Sequence, residues 1–399
     1  MNDPGRVRVS GPLAPYAAGF HRELEGRGYT PGSAALQLQL MAELSRWLAG
    51  QDLDVGALTS ATVARFFEWR RARVRVLYVS PAAARVLLEH LDGVGVLPKA
   101  EPVQLSADGL LLERYARYLR HERALAEGTV RRYRDVAAGF LAVCSTNGVD
   151  LGGLGAATVT AFLTAECRTH SKGWAKCVAT ALRSLLRFLY LEELIAVPLA
   201  QAVPTPAGWA ASSLPKALTA AQLTALLAAC DRRSPSGRRD YAVMLLAARL
   251  GLRAGEIAGL DLADVEWTRG ELRVRGKGRR VDRLPLPVDV GRALASYVRD
   301  GRPPLHGALL RRVGAPRGRL APATVTGIVY RACDRAGLPR AGAHRLRHTA
   351  ATLMLGAGAS LPEIAQVLRH LSPNTTAIYA KVDRRALLEL ARTWPGGAA

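Results

Sequence analysis

The chain has 399 residues, a length for two or three domains at roughly 100–200 residues each. Its hydrophobic content of 49% supplies ordinary cores, and no apolar run reaches the ~18–20 residues of a membrane span. The formal charge of +22, with a sequence pI near 10.7, excludes a neutral or acidic protein and calls for a polyanionic partner, nucleic acid first.

Part of that charge is compositional. Lysine occurs six times, at 99, 172, 176, 216, 277 and 381, so 55 − 6 = 49 of the basic residues are arginine, a skew also expected of an arginine-rich proteome. Cys144, Cys167, Cys177, Cys230 and Cys333 are scattered and none sits in a CxxC, so free thiols in a reducing cytoplasm are expected rather than a disulfide framework or a zinc site. The opening MNDPGRVRVSG has no apolar core of a secretory signal, which also points to a cytoplasmic protein with no membrane contact.

The first two hundred residues read as helical and duplicated. LTSATVARFF (58–67) resembles LGAATVTAFL (154–163) at an offset of 96, where Ala61, Thr62, Val63 and Phe66 fall on Ala157, Thr158, Val159 and Phe162. At the same offset Asp54 falls on Asp150. An amphipathic helix precedes each copy, LQLMAELSRWL (38–48) and TVRRYRDVAAGFLAVC (129–144), and another follows, ARVLLEHL (84–91) and TALRSLLRFLYLEELI (180–195). Two helical units over 1–100 and 105–200 are therefore expected, against chance likeness between two alanine-rich stretches. The arginines at 70, 71, 73, 75, 131, 132 and 134 read either as a solvated helix face or as phosphate contacts.

Between 198 and 216 four prolines stand among small residues, which marks a linker, placed at 201–213. The pattern then changes. Helices are expected at 219–230 and 239–250. DVEW (264–267), ELRVR (271–275) and RVDRLPL (280–286), split by TRG and GKGR turns, predict a three-stranded antiparallel meander. Helices follow at 288–299, 322–336, 344–356, 361–369, 373–380 and 383–393, within a last domain over 214–399.

Four clusters in this half carry chemistry. In RLGLRAGEIAGL (249–260), Gly251 ends one helix and Arg253 opens the next, one turn from Glu256. A cation at that end of the dipole is odd unless an anion is expected there, although a surface arginine is the commoner reading. In RGKGRR (275–280), Lys277 sits between two glycines at a hairpin tip, as in many turns. In AHRLRHTAATLML (343–355), His344 and Arg347 share a helix face; His348 reads equally as a cap or packing histidine. In LRHLSPNTTAIYAKV (368–382), Tyr379 follows His370 by nine residues and alone reads as a packing residue.

In order the chain offers Arg253, Lys277, His344, Arg347, His370 and Tyr379. Breaking a DNA phosphodiester so that it can be resealed needs a side-chain nucleophile that keeps the bond energy, and a phenol does this as a phosphotyrosine. The phosphorane's charge needs fixed cations, which two guanidiniums supply with paired donors. At ~4 Å and an effective dielectric near 20 each contact is worth up to ~4 kcal/mol before desolvation. The phenol needs a proton acceptor or cationic pocket, and the departing 5′-oxygen needs a donor, which a lysine or histidine provides.

Over about 214–383 the sequence resembles the tyrosine recombinases, or phage-type integrases, including their Xer-like members. LPKALTAAQLTALL (214–227) is similar to the opening of their catalytic domain, GLRAGEI carries the first family arginine, and GKGRRVDRLPL the hairpin lysine. AHRLRHTAAT matches the H-x-L-R-H box, and LRHLSPNTTAIY the L-G-H…T-x-x-Y box. The resemblance implies a mainly α fold: helical core-binding, SAM-like domains followed by a mixed α/β catalytic domain with a small three-stranded antiparallel sheet. It also implies a site-specific recombinase or integrase that works through a 3′-phosphotyrosyl link. Tyr379 would be the nucleophile, Arg253 and Arg347 the phosphate clamp, Lys277 the general acid, and His344 and His370 aids to proton transfer; His348 would support the site. No metal or nucleotide cofactor is implied. The implied partners are double-stranded DNA and three further copies of the chain, a homo-tetramer on two DNA sites joined through RRALLELARTW (384–394); the alternative is that this helix folds back on its own domain. Arg369 stands where the family usually has glycine and Lys381 where a histidine is common. Residues 1–100 are additional to the usual plan: a degenerate second copy, an arm for accessory sites, or a protomer contact. Two other functions stay open, a type IB topoisomerase-like enzyme and a non-catalytic DNA-binding relative.

Overall fold

The structure, a computed structural model, describes residues 4–73, 80–98, 106–205, 217–276, 280–303, 307–370, 376 and 378–379. The chain divides into two units, Met1–Lys99 together with Ser213–Ala399, and Ala100–Ser212. The fold is mainly α with one small antiparallel sheet, as expected.

The N-terminal part of the first unit carries α1 (Ala17–Gly26), α2 (Pro31–Ala49), α3 (Ser60–Arg71) and α4 (Arg85–Gly93). Helix α2 begins a full two turns before its expected start at 38. Pro31 is at home in a first turn, where its missing N–H costs nothing, and the Thr30 hydroxyl accepts the Ser33 N–H at 3.3 Å. Phe20, Leu24, Met41, Leu44, Phe66, Phe67 and Leu87 are fully buried and form the core.

The second unit carries α5 (Ala107–His121), α6 (Glu127–Thr146), α7 (Ala156–Thr169) and α8 (Lys172–Leu191) around Tyr115, Phe140, Leu182, Leu185 and Leu189. Helix α8 starts earlier than expected because Ser171 caps it through the Trp174 N–H. It also ends earlier, and Glu193 just beyond takes a positive φ of 57°. Element starts recur at the expected offset: α6 and α2 at 127 − 31 = 96, α7 and α3 at 156 − 60 = 96, and the short turns Leu151–Gly153 and Val55–Ala57 at 151 − 55 = 96. Asp54 and Asp150 each cap their turn with a side-chain oxygen.

The C-terminal part of the first unit holds α9 (Ala220–Ala228), α10 (Pro235–Arg249) and α11 (Ala254–Gly259). Then come β1 (Val265–Glu266), β2 (Glu271–Arg275), β3 (Val281–Pro285), α12 (Val288–Asp300), α13 (Pro322–Arg335), α14 (Ala343–Gly356) and α15 (Leu361–Leu368). A reciprocal cap between Thr219 and Gln222 starts α9. Helix α10 is buried without a break from Ala242 to Ala248, so it has no solvent face there and forms the centre around which α12, α13 and α14 pack. The sheet runs β1-β2-β3, antiparallel throughout, with Leu272 opposite Leu284. Leu272, Val274 and Leu284 face the core while Arg273, Arg275 and Arg283 alternate outward. The hairpin tip with Lys277, most of the expected 373–380 helix, the 383–393 helix and residues 206–216 of the proline-rich stretch lie outside the described residues.

The two parts of the first unit meet where the Arg317 N–H donates to the Arg27 carbonyl at 2.9 Å. Gly28 beside it has φ +78° and lies against the Arg317 side chain, so a Cβ there would both strain the backbone and collide. No helix among the described residues is long and apolar enough to cross a membrane.

Helix α14 is held from beneath by Leu346, which is fully buried in the central core next to Arg347 in sequence. Leu346→Ala should lower the unfolding free energy by about 2–5 kcal/mol, read from urea denaturation of the full chain.

Candidate active site

Arg347 lies in the second turn of α14 and is 1% exposed. Its Nη1 donates to the Gly251 carbonyl and its Nη2 to the Leu368 carbonyl. Each terminal nitrogen has two hydrogens, so this clamp fixes the guanidinium without using up its donors. Burial, and next the charge of Arg253, push its pKa down to about 10, so it stays charged at neutral pH. Gly251 makes the clamp feasible. It turns the chain at φ +60° between α10 and α11, and a Cβ there would strike Leu368.

Arg253, two residues on, is the residue that precedes α11, as its sequence position suggested. Its backbone N–H and Nη1 donate to the two oxygens of Glu256 at 2.8 and 2.7 Å. Its side chain keeps 41% of its exposure, so it is aimed outward while tethered. Burial would raise the Glu256 pKa, but the Arg253 N–H, the charge of Arg369 and the rest of the Arg253 contact outweigh it, and the net shift is downward. The carboxylate is therefore ionised.

The histidines crowd this cationic site. His344 opens α14, and burial, then Arg347 and Arg253, lower its pKa. Its ring meets that of His348 edge-on at 4.5 Å. His370 follows α15; its Nδ1 is 2.7 Å from Thr376 Oγ1, and burial with Arg347, Arg253, Arg369 and His344 drives its pKa down to about 4. Both histidines are neutral at pH 7. A protonated His370 would join three arginines, which the site resists.

Tyr379 is 2% exposed and packs among Ala351, Ile364 and Leu368. A 2.9 Å hydrogen bond joins its hydroxyl to His348 Nδ1. Burial raises its pKa, and Arg347 pulls it back. The pKa of His348 is lowered by burial, then by His344 and Arg347.

Arg253, His344, Arg347, His370 and Tyr379 thus gather at the N-terminal end of α14, where the helix dipole also favours an anion. Lys277 lies outside the described residues. Three partners in the site are not among the six: His348 on the phenol, Glu256 on Arg253, and Arg369 on Glu256. Glu256 and His348 had a local signal in their spacing from Arg253 and His344. Arg369 had only its place before His370. The structure explains why glycine suits that position: Arg369 ends α15 with φ 55° and ψ 49°, the left-handed conformation.

The mainly α fold with its small sheet agrees with the comparisons to known proteins. The chain belongs to the phage integrase family, the tyrosine recombinases, enzymes of site-specific recombination. Residues 216–385 match the family model described as "Phage integrase family", and residues 112–193 the one described as "Phage integrase, N-terminal SAM-like domain". The chain is 39% identical to "Putative integrase/recombinase y4rA" of Sinorhizobium fredii, over 97% of this chain and 96% of that protein. It is 32% identical to "Tyrosine recombinase XerD" of Mycobacterium tuberculosis, over 72% of this chain and 96% of that protein. The first match takes in the N-terminal hundred residues; the second uses nearly all of its protein and leaves over a quarter of this chain unmatched. Two solved structures share the fold. XerH bound to difH substrate in a pre-cleavage complex has a TM-score of 0.54 at 20% identity, covering 84% of this chain and 95% of that one. A lambda integrase tetramer bound to a Holliday junction has a TM-score of 0.54 at 18% identity, covering 82% and 91%.

The depressed His370 pKa sets a pH dependence of stability. Between about 4 and the ordinary 6.5 the unfolded chain binds the proton that the folded chain refuses, so stability is full above 6.5 and is lost as the pH falls toward 4. His370→Gln should flatten the fall in unfolding midpoint between pH 7.5 and 4.5, read by thermal denaturation of both proteins at each pH.

Proposed function

We propose that this chain binds double-stranded DNA and cleaves and rejoins it one strand at a time, with Tyr379 as the nucleophile. The observation that carries this reading is the convergence of a buried phenol, its neutral histidine partner and two arginines on the anion-favouring end of one helix. The phenol oxygen attacks the scissile phosphorus, the bond to the 5′-oxygen breaks, and a 3′-phosphotyrosyl link with a free 5′-hydroxyl results. Attack by a 5′-hydroxyl on that link reverses the chemistry and restores tyrosine, so no bond energy is lost.

Each residue has a role in this scheme. Arg253 and Arg347 take the non-bridging oxygens. His348, neutral because its pKa is lowered, accepts the phenolic proton at Nδ1. His370 and His344 hydrogen-bond the phosphate as neutral donors. Lys277, which lies between β2 and β3 in sequence, protonates the departing 5′-oxygen. The scheme uses no metal and no nucleotide.

The unit over 106–203 contributes DNA affinity through exposed Arg131 and Arg132 on α6. Residues 4–98 are a second copy of that unit with another use. At the offset of 96, Arg131 and Arg134 are replaced by Ala35 and Leu38, both buried, so this face of α2 is core rather than a phosphate surface. The catalytic domain spans 214–399. The chain works in the cytoplasm as a homo-tetramer on two DNA sites, coupled through 384–394; the tetramer named for the lambda relative supports that assembly.

A nicked suicide duplex that traps the covalent intermediate tests the chemistry. The full chain should yield a covalent protein–DNA adduct, and Tyr379→Phe none. Arg253→Ala should slow adduct formation by about 10²–10³ while DNA affinity, spread over many phosphates, changes little. Adduct formation with plasmid relaxation but no strand exchange would indicate a topoisomerase, and binding without adduct a non-catalytic relative.

The proton route has its own signature. With His348 as acceptor, the single-turnover rate should be flat from about pH 6.5 to 8.5 and fall below it, because protonating His348 removes the acceptor. His348→Gln should lower the rate by about 10² and abolish that acid limb, as read from rate–pH profiles of the two proteins.

A further inference from the structure

We propose that Arg369 is a positioning residue for DNA cleavage: it holds Glu256, and through it Arg253, in the geometry that meets the phosphate. Its Nη2 donates to Glu256 Oε2 at 2.7 Å, and both side chains are only 5% exposed. Glu256 Oε1 accepts from Arg253 Nη1, so one carboxylate is shared by two arginines. The Arg369 Nε lies 4.0 Å from Asp282 on β3, whose other oxygen holds Arg280, three residues after Lys277 in sequence. His370 is the next residue in the chain. One guanidinium therefore ties together three elements that carry reacting groups: the start of α11, the β2–β3 hairpin and the end of α15.

The backbone points the same way. Four non-glycine residues among those described have a positive φ: Asp52, Ala124, Glu193 and Arg369. The first three are exposed in turns; Arg369 alone is buried by its side chain. Glycine would take this conformation without strain, whereas a residue with a Cβ pays for it. Beyond this left-handed turn the Arg369 side chain meets Glu256, the acidic group that, among the described residues, contacts Arg253.

The consequence is electrostatic. With Arg369 present, the carboxylate is divided between two cations and the cluster keeps a net positive charge toward the phosphate. Without it, the full charge of Glu256 falls on Arg253, which is drawn back and neutralised. Charge developing on the phosphorane then loses more than bound DNA does, because binding is spread over many phosphates.

This inference rests on the recombinase reading, and the suicide-duplex assay separates the two. Arg369→Gly in the full chain should slow single-turnover adduct formation by about tenfold or more, with DNA affinity within about twofold and no drop in unfolding temperature. Arg369→Lys, which restores the charge and one donor, should recover the rate to within about threefold. In a Glu256→Gln background, Arg369→Gly should cost no more than about twofold, because its target is gone. A wild-type rate in Arg369→Gly would overturn the inference. So would loss of DNA affinity in step with the rate and no rescue by lysine, or a full additive loss in the double variant. Absence of any adduct with the unaltered chain would overturn the recombinase reading and this inference with it.

Discussion

Arg347 is a charged group almost without solvent, and the protein tolerates it because two backbone carbonyls replace the water it has lost. Those carbonyls belong to Gly251, at the junction of α10 and α11, and to Leu368, at the end of α15. The groups that flank them are the ones the proposed chemistry uses: Arg253 lies two residues beyond Gly251, and His370 two beyond Leu368. One guanidinium on α14 thus locks the spacing of three chain segments that lie 96 and 21 residues apart in sequence. The constraint also explains Gly251, where both the positive φ and the approach of Leu368 exclude a side chain.

Around this clamp positive charge is concentrated. Arg253, Arg347 and Arg369 lie within reach of one carboxylate, Glu256, and burial, reinforced by the neighbouring charges, lowers the pKa of the nearby histidines. Such an arrangement is costly for folding and useful for catalysis, since donors fixed before reaction need no reorganisation as charge develops on phosphorus. Burial, then His344 and Arg347, lower the pKa of His348, which stands beside a phenol that burial keeps protonated. An anionic phosphate relieves the excess positive charge that the fold must otherwise sustain.

The helical stretches over 4–98 and 106–203 share a pattern at one sequence offset. The 96-residue offset preserves the starts of two helix pairs, α2 with α6 and α3 with α7, the aspartate-capped turn and the aromatic core position at Phe66 and Phe162. What differs is which face is wet. Arg131 and Arg132 keep α6 polar where Ala35 and Leu36 leave α2 apolar, so the two copies share packing while differing in surface chemistry.

Local pattern alone was enough for the helices with clear 3.6-residue periodicity, the three-strand meander with its period of two, and the order of Arg253, His344, Arg347, His370 and Tyr379 along the chain. Those features depend on neighbours within a few residues, so they are written locally. The start of α2 was hidden because Pro31 and Gly32 read as breakers until Thr30 is seen to cap the first turn. The contact of His348 with Tyr379, the two carbonyls under Arg347 and the pairing of Arg369 with Glu256 join residues 31, 96 and 113 positions apart at their widest. Only packing of the α10-centred core decides such distances, because burial of apolar faces sets which polar groups must meet, and no spacing along the chain encodes that.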